Sequence, residues 1–524
     1  MSKRAKKNFI AGAGVFAAAV VLAKVLGAAY RIPLANILGA EGMGLYQFVY
    51  PVFALLLTLS SGAIPSAVSI IVSGYLANGD TAGAKRSFDV ILRLCLWIGG
   101  GGTLLLTLIA YPVSLLQSTD ALVGYFSIAP AVAIVTFISA FRGWYLGHKD
   151  TAPSSVSQVT EGIVKLAVGI SLAKALLPYG LPYAVAGALL GVVASEAVTL
   201  FIMASIFVLK DKEGFVRVKL RENREIVGRV KKIVLPLLLC GLILPASQFL
   251  DSLLVVNLLR WGGEESGAAT AAYGVFSGVA IPLINLPVMV CISLGVAITP
   301  QMVEGREKRD VDLVMEKCAV TTKLTILLGA PFVLFYLLMP DRIVTTLFPG
   351  LGAERLATAS LLLRVSAPGV LGLSVFQIYS AMFQGLNRMK TPVFIMAFCA
   401  GLKLLLEIVL VPTTGILGAA IASAVGYTLA GVLAMGRFFT FARKIDGLAK
   451  NGSLIALCGV IMGLVVFMSE RLTESLVGIL AVGVVSAAAY VVAVLTLRVF
   501  SREELAAMPF SDRLLRLDEK LRRN

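Results

Sequence analysis

Stretches of about 20 apolar residues, each long enough to cross a ~30 Å hydrocarbon core as a helix, recur along nearly the whole chain and leave no room for a separate soluble domain. In lipid each backbone amide must find its partner within its own segment, so a chain built of such stretches folds as membrane-spanning helices. Gly, Pro and charged punctuation place the spans near 9–35, 45–77, 87–113, 121–147, 153–177 and 182–209, then 233–259, 270–303, 318–339, 357–386, 391–412 and 415–436, and finally 452–469 and 475–497. Composition agrees: 15% of the 524 residues are charged, against roughly a quarter in soluble domains. The first stretch carries Lys24, is too long for a signal-peptide core and has no small-residue cleavage site after it, so it is expected to be retained as a span. The expected fold is therefore an all-α polytopic membrane protein of about fourteen helices.

Orientation follows from the positive charges. With Lys3, Arg4, Lys6 and Lys7 inside, and Arg142 at the inner end of span 4 counted with them, the cytoplasmic segments hold 34 of the 46 Lys and Arg, the outward connections hold four (Arg260, Arg342, Arg355 and Arg471), and the other eight fall within spans. That alternation fits the positive-inside rule, and a missed or invented span would scramble it. The formal charge of +16 is thus spread over the inner face, which argues for a bilayer surface and against nucleic acid. The expected organisation is a cytoplasmic tail (1–8), a first lobe of six spans (9–209), a basic cytoplasmic linker (210–232), a second lobe of six spans (233–440), a cytoplasmic loop (441–451), two further spans (452–499) and a basic tail (500–524). In that tail Leu514, Leu517 and Leu521 share helical spacing beside Arg513, Arg516, Lys520, Arg522 and Arg523. It reads either as an amphipathic helix on the anionic leaflet or as a solvated extension.

The two sets of six spans carry the same marks in the same order. The first has Ala129-Pro130, Ser139-Ala140-Phe141-Arg142-Gly143, Pro153, Glu161 with Lys165, and Ala186-Gly187-Ala188; the second has Ala367-Pro368, Ser380-Ala381-Met382-Phe383-Gln384-Gly385, Pro392, Lys403 with Glu407, and Leu417-Gly418-Ala419. A fainter echo links Ser61-Gly62-Ala63-Ile64-Pro65 to Gly295-Val296-Ala297-Ile298-Thr299-Pro300. Equivalent elements lie an even number of spans apart, so the repeats share one orientation, with a substrate site expected between two pseudo-symmetric lobes. Gly, Ser and Pro within spans 2 and 8 (Ser60, Ser61, Gly62 and Pro65; Pro282, Asn285, Pro287 and Gly295) predict loosened or bent helices there.

Ionisable side chains inside spans cost at least ~2.5–3.5 kcal/mol each at the bilayer centre, so they mark function or a partner. Lys24 and Arg31 lie seven residues apart, on nearly one face of span 1, with no acid in that span. Two such cations suit a phosphate or pyrophosphate, which Arg grips bidentately. The competing reading has Arg31 at the outer headgroup level and Lys24 snorkelling. Glu161 with Lys165, and Lys403 with Glu407, are (i, i+4) pairs of reversed order. The first reads as a structural or gating ion pair. The second, joined by Asp251 from span 7, reads as an ion- or proton-coupling cluster. Arg142 and Lys149, at the inner end of span 4, read as topology determinants rather than ligands. Arg93, Lys174, Lys323 and Arg364 lie toward span ends, where snorkelling is the default.

Enzyme chemistry finds no foothold. His148 is the only histidine, which argues against imidazole metal sites and Ser-His-Asp arrangements. There is no Walker lysine loop, and Gly12-Ala13-Gly14 follows no strand. Cys95, Cys240, Cys291, Cys318, Cys399 and Cys458 stand singly in or beside apolar runs with no C-x-x-C pair, as packing residues do. No cofactor or metal is expected, and the chain is expected to act as a monomer.

The run Ala23-Lys24-Val25-Leu26-Gly27 through Leu38-Gly39-Ala40-Glu41-Gly42-Met43-Gly44-Leu45-Tyr46, then Ser61-Gly62-Ala63-Ile64-Pro65-Ser66-Ala67-Val68-Ser69, and the segment Gly418-Ala419-Ala420-Ile421-Ala422-Ser423 resemble the multidrug/oligosaccharidyl-lipid/polysaccharide exporter superfamily. Within it the chain is similar to the group of MurJ-type lipid II flippases and stage V sporulation protein B. The resemblance spans the chain and implies a two-lobe transporter with a cationic cavity, exporting undecaprenyl-pyrophosphate-linked peptidoglycan precursor by alternating access. By position it implies cavity cations at Lys24 and Arg31, and a second-lobe sodium site at Asp251, Lys403 and Glu407. Lys403 stands where a neutral ligand belongs, so its ammonium replaces the ion in this reading. Spans 2 and 8 lack the cavity arginines of the MurJ branch, which favours the sporulation-type branch. Three rival functions stay open on sequence: export of another lipid-linked polysaccharide unit, cation-coupled drug antiport, and a non-transporting scaffold for wall synthesis.

Overall fold

The computed structural model describes residues 3–117, 120–210, 223–441, 448–469, 475–497 and 499, and their side chains except those of 3–21, 24, 236, 239–240, 293, 296–297, 300, 441, 448–453, 456 and 476. Among the described residues there is no strand. Among the described residues twelve stretches are long and apolar enough to cross a membrane. The first, Val25–Ala77, runs 53 residues, about 80 Å at 1.5 Å per residue, and so provides two crossings. A shorter apolar helix, Leu457–Met468, lies at the thirteenth expected span.

The chain packs as two compact units: Met1–Gly278 with Val411–Ile416, and Val279–Leu410 with Leu417–Asn524. In the first unit the helices are α1 (Lys3–Ser61), α2 (Ile64–Ala77), α3 (Thr81–Leu116), α4 (Leu122–Gly147), α5 (Ala152–Leu176), α6 (Leu181–Lys210), α7 (Arg224–Gly241), α8 (Ile243–Trp261) and α9 (Ser266–Val275). Helix α1 runs past the end of span 1 because only one residue departs from helical geometry. Gly39, at φ 66° and ψ −173°, holds a conformation essentially closed to residues with a β-carbon. Span 2 is interrupted between Ser61 and Ile64, where α2 starts with Pro65 in its first turn, as its Gly-Ser-Pro content predicts. Helices α2, α3, α4, α6 and α7 close around Phe88, Phe141 and Phe207, whose rings meet at 5.2–5.6 Å, contacts of about 0.5–1.5 kcal/mol each.

This unit ends at Gly278 rather than at the basic linker, so α7–α9 belong to it, whereas the expected second lobe starts at 233. Polar anchors explain the assignment. Gln47 donates to the Ser277 carbonyl, the Gln117 amide donates to Ser252 Oγ at 3.2 Å, and Asn257 Nδ2 donates to the Leu116 carbonyl at 2.8 Å. Gly44 and Gly274 face each other's helix, leaving no side chain between the backbones of α1 and α9.

A π turn at Phe276–Ala280, across the boundary at Gly278, leads into α10 (Ile281–Lys308) of the second unit. Pro282 enters that helix without an N–H to give, and the widened turn accommodates it. The unit continues with α11 (Val311–Leu338), α12 (Pro340–Leu347), α13 (Ala353–Gly385), α14 (Lys390–Thr414), α15 (Ile416–Phe441), α16 (Leu448–Met468) and α17 (Leu476–Thr496). Helix α13 packs on α10 and α11, while α16 and α17 pack on α11 through Met339, Cys458, Met462 and Tyr490.

The sequence repeat has a structural counterpart inside each unit. A β-carbon at Gly143 of α4 would stand 2.7 Å from the Pro65 carbonyl oxygen and 2.5 Å from Val68 Cβ of α2. One at Gly385 of α13 would stand 2.8 Å from the Thr299 carbonyl oxygen and 2.6 Å from Met302 Cβ of α10. Each glycine is thus clasped by a backbone oxygen and the side chain three residues on, and the echo of Ser61–Pro65 in 295–300 becomes one helix–helix contact made twice. Lipid gives no hydrophobic drive between helices, so small residues that allow such close approach set the packing.

Candidate functional site

Four helices of the first unit, α1, α4, α5 and α6, contribute to a group of charges. Tyr30 of α1 is buried, and its hydroxyl donates to the Ala188 carbonyl of α6 at 3.1 Å. That anchor fixes the rotation of α1 and leaves the next residue, Arg31, on a half-buried face. The Arg31 guanidinium lies over the ring of Tyr50, 5.8 Å from its centroid, and Tyr50 stacks on Tyr46 at 5.7 Å. Both tyrosines are within electrostatic reach of Lys165 on α5. Among the described residues no carboxylate pairs with Arg31.

Glu161, one turn before Lys165, accepts from Lys165 Nζ at 3.2 Å and from Arg142 Nη2 at 3.1 Å. The expected pair is therefore a triad, and Arg142, read from sequence as a topology marker, is one of its cations. On α6, buried Glu196 lies within electrostatic reach of Glu161, Lys165 and Arg142. All three side chains of the triad keep about a fifth of their surface exposed (20–23%). Arg142 Nε and Thr199 Oγ1 are buried with no hydrogen-bond partner in the protein. Unspent polar atoms beside a charge cluster are what a site filled by water or ligand leaves behind. Arg142 and Lys165 face Glu161 and Glu196, and Arg31 reaches the Tyr46–Tyr50 stack, which also feels Lys165.

Both missed residues leave a trace in the sequence. Glu161 lies eighteen residues before Tyr179, in the turn between α5 and α6, and Glu196 seventeen after it; in an antiparallel hairpin, positions equidistant from the turn lie level. Arg142 and Glu161 flank the α4–α5 turn in the same manner, with the reach of an arginine covering the small offset.

The other expected residues fall as follows. The side chain of Lys24 lies outside those described, and its backbone belongs to α1. Asp251 is buried in α8 of the first unit. Lys403 and Glu407 on α14 of the second unit pair at 3.3 Å with only 5% and 0% side-chain exposure, and Gly426 of α15 closes on Lys403 Cβ. Hence the first unit's pair is accessible and the second unit's is sealed. Arg364, expected to snorkel, pairs with Asp341 at 3.2 Å. Five cysteines are free and buried; Cys240 is outside the side chains described.

Comparison with known proteins places this arrangement. The polysaccharide biosynthesis protein family matches residues 9–306, and the MatE family matches 236–409. Stage V sporulation protein B of Bacillus subtilis (strain 168) is 29% identical over 530 residues, covering 98% of this chain and 99% of its own length. Lipid II flippase MurJ of the same organism is 24% identical over 493 residues, covering 89% and 88%. Among solved structures, a lipid II flippase MurJ in an inward closed conformation superposes with a TM-score of 0.68 at 12% identity, covering 91% of this chain and 97% of that one.

Proposed function

Because the chain belongs to the polysaccharide biosynthesis protein family, within the MurJ and stage V sporulation protein B-like group of the multidrug/oligosaccharidyl-lipid/polysaccharide superfamily, we propose that it flips a polyprenyl-pyrophosphate-linked saccharide, lipid II or a related peptidoglycan precursor, from the inner to the outer leaflet by alternating access. The observation that carries this reading is the partly exposed triad of Arg142, Glu161 and Lys165, with Arg31 on the neighbouring Tyr46–Tyr50 stack, which also feels Lys165. A diphosphate takes charge-assisted hydrogen bonds from guanidinium and ammonium. Arg31 has no carboxylate to leave, and Lys165 and Arg142 exchange a carboxylate for a phosphate at little net cost. Lys24, seven residues before Arg31 in the sequence, is proposed as a further cation for the same ligand. A cationic drug meets the opposite balance of charge, which disfavours drug antiport.

In this reading the termini are cytoplasmic, and binding draws α1 toward α5 around the headgroup. Asp251, Lys403 and Glu407 are proposed as the coupling residues, with the Lys403 ammonium serving in place of a metal ion.

The test is the accessibility of lipid II at the outer leaflet of cells depleted of their own flippase and supplied with this chain. Restored accessibility is expected, with loss of complementation in the Lys24→Ala and Arg31→Ala variants at unchanged membrane levels. Unchanged growth with both variants combined would sink the assignment of these cations to the substrate.

A further inference from the structure

A second charged recess lies in the first unit, away from the triad. On α4, Arg142 points toward α5, while Trp144 and His148, an (i, i+4) pair, lie on the far side of the helix. That far side borders an open recess of about 470 Å³, whose chemistry comes from Thr81, Lys85, His148, Asp150, Phe207 and Lys210. The recess sits where α2 ends, α3 begins, and α4 and α6 end, so it lies at headgroup level, on the side that the charge distribution places in the cytoplasm.

Its construction suits a phosphate. Lys85 is itself buried, with its ammonium 4.2 Å from the centroid of the Phe207 ring. Thr81 offers a hydroxyl and opens the 36-residue helix α3, whose N-terminus favours an anion. Lys210 Nζ is bonded to Asp150 Oδ2 at 2.7 Å, so one carboxylate in the recess is already neutralised. Asp80, just outside, spends its carboxylate on the Gly83 amide at 2.7 Å. His148 Nδ1–H donates to the Trp144 carbonyl at 3.0 Å, so the neutral ring offers the recess no donor and the lysines and Thr81 supply them. Val208 and Leu209, beside Phe207 and Lys210 on α6, are exposed, Leu209 at 83%. In a membrane those side chains face acyl chains.

We propose that the recess is a headgroup site for an anionic phospholipid, with Lys85 and Lys210 holding the phosphate and the acyl chains lying along the end of α6. Basic recesses between helix ends on the cytoplasmic side are where anionic headgroups bind. The site is separate from the substrate cations and stands whether or not the transport reading holds.

The test uses the full chain in detergent, with native mass spectrometry and thermal unfolding as readouts, and phosphatidylglycerol, phosphatidylcholine and inorganic phosphate as probes. Phosphatidylglycerol is expected to be retained and to raise the melting temperature, phosphatidylcholine to do neither. Lys85→Gln should weaken retention about fivefold, the equivalent of the ~1 kcal/mol that one lysine contributes toward anionic lipid. Asp150→Asn is the decisive variant. It frees Lys210 and should strengthen phosphatidylglycerol retention, whereas a merely structural Lys210–Asp150 pair predicts lower stability with retention unchanged. Equal retention of both lipids, retention indifferent to Lys85→Gln and Asp150→Asn, or equal stabilisation by inorganic phosphate would overturn the lipid assignment.

Discussion

Replacing Gly143 with alanine tests the packing that the internal repeat predicts. The new β-carbon would stand 2.7 Å from the Pro65 carbonyl oxygen and 2.5 Å from Val68 Cβ, where van der Waals contact begins near ~3.5 Å. One of the two obstacles is backbone, so α2 and α4 must separate by several tenths of an ångström. Overpacking of that kind costs about 1–3 kcal/mol, less the up to ~1 kcal/mol that alanine gains over glycine within a helix. Gly385→Ala meets the Thr299 carbonyl and Met302 Cβ in the same arrangement and should cost the same within about 1 kcal/mol. Gly100→Ala and Gly401→Ala serve as controls, because nothing lies within 4 Å of either new β-carbon; they should be neutral or stabilising. The assay is unfolding of the purified chain in one detergent, with all four variants side by side. If Gly143→Ala behaves like Gly100→Ala, the clasp is not a packing constraint, and if Gly143→Ala and Gly385→Ala differ by more than about 2 kcal/mol, the two contacts are not equivalents.

Glu161→Gln leaves Arg142 and Lys165 facing each other without their shared carboxylate; at about a fifth exposure the cost should fall between exposed and buried pairs, roughly 1–3 kcal/mol, and adding Lys165→Met should recover about half of it in a thermal melt. Transport in right-side-out vesicles should be indifferent to external sodium if the Lys403 ammonium serves in place of an ion, and a sodium requirement would refute that role. Lys403→Gln should then confer a sodium dependence absent from the parent chain, measured in the same vesicles.

The helices were legible in the sequence because in lipid the backbone leaves the chain no alternative to them, and length and apolarity locate each one. Their interruptions were legible for a related reason: Gly62 and Pro65 in span 2, and Pro282 in span 8, disturb the hydrogen-bond ladder, and the structure breaks or widens there. What the sequence hid was partnership across helices. Arg142 ends a span among basic residues that set topology, and only its distance from Glu161 across the α4–α5 turn distinguishes it from them. Glu196 stands alone in an apolar run, and its relation to Glu161 appears once the turn at Leu177–Tyr179 is used as a mirror. The boundary of the first unit was equally hidden, because Gln47 and Asn257 look like ordinary polar residues of two separate spans, and Gln117 like one of a connection, until their acceptors are seen.

The two repeats place an ion pair at matching points, α5 in one unit and α14 in the other, and give it opposite character. Glu161 precedes Lys165, the order that a helix favours, and the pair is partly open and shared with Arg142. Lys403 precedes Glu407, the less favoured order, and the pair is sealed at 5% and 0% exposure. Burying two charges costs several kcal/mol per ion unless each holds the other, so the α14 pair resists separation, whereas Lys165 can turn from carboxylate to phosphate while remaining solvated. On the proposed reading, an incoming pyrophosphate would find its first cations in the first unit, at Arg31, Arg142 and Lys165. Any step that acts on Lys403 and Glu407 has to open α14 from α15 beforehand, across the contact between Gly426 and Lys403 Cβ. A bulkier residue at that glycine, Gly426→Val, should accordingly force the α14 pair partly open, seen as faster hydrogen exchange in residues 399–407, and leave the stability of the Glu161 triad unchanged.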